Sequence, residues 1–129
     1  MKLNLKVMFI IAAIYHIMNV FVGLLPPEWM GYTFPASTSP YLLMALKFWG
    51  VASLPLAIIA WLVRNAEPSK TRDAVVLGMT IFFVVEAPVS AYGFFVDPGN
   101  PHLIFAFVEA LIAVGFIIAG RASMSKNAS

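Results

Sequence analysis

No cysteine occurs in the chain, which excludes disulfides, thiolate metal sites and thiol redox chemistry together. Charge is nearly as scarce. Only 11% of the 129 residues are Asp, Glu, Lys or Arg, against about a quarter in an ordinary soluble domain. Histidine occurs twice, and the spacing puts His16 deep in an apolar run and His102 at the edge of another. A shared metal site is therefore not expected. No glycine-rich phosphate loop is present, nor a Ser/His/Asp set at one depth with an oxyanion donor beside it. The net charge of +2 does not point to nucleic acid, because the basic residues sit at the ends of apolar runs and form no single patch.

What the chain has in abundance is apolar sequence. Hydrophobic residues make up 61% of it, and that excess needs lipid as its solvent. The pattern predicts a single transmembrane domain over 1–129, an all-α integral membrane four-helix bundle with helices at about 5–25, 41–63, 74–96 and 102–120. At about 1.5 Å of rise per residue each run spans roughly 30 Å, one hydrocarbon thickness. The first run follows Lys2 and Lys6. It is long for the apolar core of a signal peptide and no small-x-small cleavage site closes it, so it reads as an uncleaved first span. Pro26 and Pro27 stop it, because proline cannot continue the hydrogen-bond ladder. The loop up to Pro40 carries Trp29, Tyr32 and Phe34, which suit the headgroup level and a surface cap over the bundle. The segment 64–73 (RNAEPSKTRD) reads as an exposed loop, 97–101 (DPGNP) as a turn, and 121–129 as a polar tail.

Orientation follows from charge. Lys2, Lys6, Arg64, Lys70, Arg72, Arg121 and Lys126 all fall on one side of a four-span chain. The other side holds Glu28 and Asp97 and no Lys or Arg. The positive-inside rule then predicts that both termini are cytoplasmic, in a multi-pass protein of a bacterial-type inner membrane.

The few polar residues inside the spans are the candidates for function. His16 lies roughly 16 Å along the first span and Glu86 roughly 18 Å along the third, both near mid-membrane. Asn19, Lys47, Ser90 and Glu109 lie roughly 7–12 Å below the opposite face. A charged group at mid-helix costs about 2.5–3.5 kcal/mol on insertion scales, so these residues are expected to face inward and pair. Lys47 with Glu109 is the ion pair that depth and charge suggest, and His16 is the partner for Glu86. Interhelical polar contacts also serve as simple packing glue, worth about 0.6 kcal/mol each on average, and that reading stands beside the functional one. Pro88 is two residues from Glu86 and removes the bond to the carbonyl of Val84. Pro55 does the same to Val51 in the second span, and both are expected to kink their helices. Along the fourth span His102, Ala106, Glu109 and Ala113 share a face, with Ala110 beside them. Small residues there allow a neighbouring backbone to come close, in the bundle or in a second protomer.

The stretches 13–29 (AIYHIMNVFVGLLPPEW) and 46–64 (LKFWGVASLPLAIIAWLVR) resemble the first two helices of DoxX-like bacterial membrane proteins, with Gly23 before Pro26 and Gly50 in the second helix. The resemblance implies a four-helix membrane fold and, through relatives that are subunits of quinone-linked oxidoreductases, a quinone as a conceivable cofactor. The Pro26–Pro27 pair and Glu86 depart from it, so no catalytic residue carries over.

Three functions compete on this reading. The first is a ligand-binding or accessory subunit of a membrane complex whose polar cavity holds a small amphipathic or quinone-like molecule. Trp49, Phe83 and Tyr92 would form its apolar wall, with Glu86 and His16 as the polar end. The second is a proton-coupled small-molecule transporter working as a homodimer. The third is a small membrane enzyme using Glu86 and His16 in acid–base chemistry. Lys47, Glu109, Asn19 and Ser90 complete the candidate set. The partners expected are the lipid bilayer, a hydrophobic small molecule and a second copy or larger complex, with no nucleic acid.

Overall fold

The computed structural model describes residues 4–26, 40–96 and 102–124. The described residues are all-α, in the order α1 (Leu5–Leu24), α2 (Pro40–Val63), α3 (Lys70–Val96) and α4 (His102–Met124). Each helix is long and apolar enough to cross a bilayer. The outward faces support the same reading. Phe21, Phe48, Leu62, Phe95 and Phe107 are all more than half exposed, a distribution that would form large sticky patches in water and is what lipid requires.

The helix ends are set by local chemistry. Asn4 caps α1: its Oδ1 accepts from the Val7 N–H at 3.0 Å and its carbonyl from Met8 at 3.1 Å. Ser69 does the same for α3, its Oγ accepting from the Arg72 N–H at 3.2 Å and its carbonyl from Asp73 at 3.0 Å. That cap corrects the sequence boundary. The segment read as loop to residue 73 turns helical at Lys70, because a serine three residues before a free N–H starts a helix even within a polar run. At the other end α4 continues to Met124, where the polar tail was placed from 121. Arg121 in its last turn suits the negative end of the helix dipole. Pro55 and Pro88 lie inside α2 and α3, and both helices run on through them. The surface loop with Trp29, Tyr32 and Phe34 and the 97–101 turn lie outside the described residues.

The chain divides into two compact units, one formed by 1–9 with 63–129 and the other by 10–62. In the first, α3 packs along α4. Buried residues recur at helical spacing on both: Arg72, Val76, Met79 and Phe83 on α3; Ala106, Glu109, Ala113, Phe116 and Ala119 on α4. Phe116 is the hub. Its ring meets Phe9 edge-to-face at 5.4 Å and stacks on Phe83 at 6.2 Å, and all three are at most 1% exposed. In the second unit α1 and α2 meet at two glycines, Gly23 and Gly50, whose backbones touch. The buried stripe of α2 is made of small residues, with Ser53, Ala57 and Ala60 following Gly50, which is what lets a neighbouring helix come this close.

Candidate functional site

The unit built on α3 and α4 holds two carboxylates, one along the inward stripe of each helix. Glu86 follows Phe83 by one helical turn and Met79 by two and is half-buried, and Ser90 lies a turn further along the same stripe. Glu109 stands on the buried face of α4 between Ala106 and Ala113 and is 1% exposed. Packing of the two helices brings Glu86 within coulombic range of Glu109. The apolar stretches 74–96 and 103–120 contain no Lys, Arg or His, so neither helix supplies a cation at that depth. This juxtaposition of like groups is absent from the sequence reading, which assigned each carboxylate a basic partner.

The unit built on α1 and α2 holds the other candidates. His16 and Asn19 are three apart on the buried face of α1, 0% and 1% exposed. Alanine and aromatic neighbours surround that register: Ala12 and Ala13 precede it by one turn, and the Tyr15 ring meets His16 edge-to-face at 5.6 Å. Asn19 lies one turn before Gly23. Its backbone carbonyl is 3.3 Å from the point a Cβ on Gly50 would occupy. The Asn19 Nδ2 is buried without a hydrogen-bond acceptor, a shortfall worth about 1–3 kcal/mol for a neutral donor. Ser53 is buried on α2 and uses its hydroxyl on the carbonyl of Trp49 at 3.0 Å, the local back-bond that lets a hydroxyl sit in an apolar helix. His16 belongs to this unit and Glu86 to the other, and the same division falls between Lys47 and Glu109.

Two candidates are not where the sequence suggested. Lys47, expected to turn inward, is exposed. It lies only seven residues into α2, about 10 Å from the helix start, and a long lysine stem can lie along an apolar surface while its ammonium stays in polar surroundings. Tyr92, expected in an apolar wall, is 70% exposed near the end of α3. Of the other two proposed wall residues, Trp49 is half-buried and Phe83 is locked in the Phe116 stack. Sequence reasoning passed over Ser53 and Arg72, both buried. Ser53 had a signal, its spacing of three from Gly50 along the small stripe. Arg72 had none, since it lay in a segment assigned to solvent.

Among the described residues no group of three or more His, Asp or Glu side chains could hold a metal ion. No family model matches the chain, and no curated protein or solved structure does either.

Proposed function

We propose that this chain is a multi-pass protein of a bacterial inner membrane, DoxX-like in its helix plan, with both termini cytoplasmic, and that it binds a small amphipathic or quinone-like molecule among its buried polar groups. The observation that supports this most is the Glu86–Glu109 juxtaposition on α3 and α4. Carboxyl groups are expensive in hydrocarbon and are kept there chiefly for work on ions, protons or ligands. A carboxyl that carries its proton can donate a hydrogen bond to a ligand carbonyl. The ligand's apolar body would lie against the Phe and Ala faces of the helices.

The test is saturable quenching of tryptophan fluorescence by decylubiquinone, with the protein in phosphatidylcholine nanodiscs. Wild type should saturate. Glu86→Leu, which removes the donor, should weaken binding about tenfold, the loss expected for one good hydrogen bond. Quenching that never saturates in wild type would end the quinone reading.

The same two carboxylates favour a second reading, a proton-coupled transporter acting as a dimer, because like charges that feel each other disfavour joint ionisation. Proton uptake by sealed proteoliposomes, abolished in Glu109→Gln, would distinguish it.

A further inference from the structure

We propose that the basic end of α3 and α4 binds the headgroup of an anionic phospholipid, with Arg72 and Ser123 as its specific contacts. This rests on the membrane reading but not on the quinone reading.

Arg72 is an arginine almost removed from solvent, 8% exposed, at the third residue of α3. Its charge is poorly answered. One nitrogen, Nη2, donates to Ser123 Oγ on α4 at 2.6 Å and reaches Asp73 Oδ1 only at 3.5 Å. The first is a neutral acceptor, and the second contact is at the outer limit of a hydrogen bond. The Nε is buried with no acceptor. A guanidinium offers five N–H donors in a planar fork suited to phosphate oxygens, and here the Ser123 contact and the ion pair with Asp73 both run through Nη2. Ser123 completes the pair of donors: its oxygen accepts from Arg72, which leaves its own hydrogen to give.

The surroundings fit the same occupant. In this unit the described residues at this end include Lys6, Arg64, Lys70, Arg72 and Arg121 against only Glu67 and Asp73. The first turn of α3 adds the positive end of its dipole. The apolar stretch of α3 starts at Ala74, two residues after Arg72, so the guanidinium lies where a spanning helix leaves the hydrocarbon. The anion available there in high concentration is a lipid phosphate, and basic residues at this level attract acidic headgroups. A phosphate oxygen would draw the guanidinium off Asp73 while Ser123 keeps it in place.

The experiment uses the full chain purified in detergent, after confirming that alkaline carbonate leaves it in the membrane and detergent releases it. Release by carbonate would sink the membrane reading itself. Native mass spectrometry then follows binding of dioleoylphosphatidylglycerol and of dioleoylphosphatidylcholine. Wild type should take up the anionic lipid about fivefold more tightly, as expected of a charge-assisted bidentate contact. Arg72→Gln should remove most of that preference. Ser123→Ala, which leaves every charge in place, should at least halve it, and it serves if Arg72→Gln fails to fold. Lys47→Gln, in the other unit, should leave it unchanged. Equal binding of the two lipids by wild type overturns the proposal. So does an undiminished preference in Arg72→Gln and Ser123→Ala, which would assign it to diffuse basic charge. Displacement of the lipid by millimolar inorganic phosphate would overturn the lipid assignment in favour of a soluble anion.

Discussion

A Cβ built on Gly23 would lie 2.6 Å from the Cα of Gly50, and one built on Gly50 would lie 2.7 Å from the Cα of Gly23. At that separation α1 and α2 touch backbone to backbone, and any side chain at either position has to push the helices apart. Gly50→Ala should therefore cost about 1–3 kcal/mol, the range for overpacking a tight contact, read as the unfolding midpoint in mixed micelles. Gly78 gives the control. Nothing lies within 4 Å of its added Cβ, so Gly78→Ala should be neutral or stabilising by up to about 1 kcal/mol from helix propensity. Equal effects at the two sites would mean that the helices do not cross this closely.

Phe116 joins two other rings at the centre of the unit that contains α3 and α4. Phe116→Ala should destabilise by about 3–5 kcal/mol, the usual loss for a buried phenylalanine. Phe107, nine residues and about two and a half turns away along α4 and 66% exposed, should tolerate alanine with little change. Comparable losses at both would show that α4 presents a different face to its neighbours.

The two carboxylates should behave as a coupled pair. The charge on one carboxyl favours a proton on the other, so changing either Glu86 or Glu109 to Gln alters what the second change does. A double-mutant cycle of Glu86→Gln and Glu109→Gln should show a non-additivity of about 0.5–3 kcal/mol, as for coupled residues. Additive effects would separate the two sites and remove the main support for the functional reading.

Topology can be tested with single cysteines on the natural background of none. A cysteine at Asn100 should react with an impermeant maleimide added to intact cells. One at Asn65, exposed between α2 and α3, should react only after permeabilisation. The opposite pattern reverses the orientation and moves the basic end to the outer leaflet.

The order and apolar character of the four helices were legible in the sequence because they depend on composition along the chain. A run of some twenty apolar residues has few alternatives to a helix, since hydrocarbon leaves backbone groups no other way to be satisfied. The register of α1 and α4 was legible too: His16 and Asn19 share a face, as do Ala106, Glu109 and Ala113, because residues three and four apart must. The helix ends were less so. The Ser69 cap starts α3 at Lys70, four residues before the apolar pattern begins, and a single side-chain hydrogen bond leaves little trace in hydropathy.

Facing relationships between helices were decided by tertiary structure alone. The helices are apolar on almost every side, so α2 gives no amphipathic signal to say that Gly50 and Ser53 turn inward while Lys47 turns out. Charge complementarity matched each carboxylate to a cation at equal depth; the packing of α3 on α4, governed by the fit of small residues and rings, adds a like-charged neighbour, Glu109, for Glu86. Burial of Arg72 likewise required α4 to carry Ser123 up beside it. Length and hydropathy determine that helices form and where they run; which of their residues meet is determined by shape, which a one-dimensional pattern does not encode.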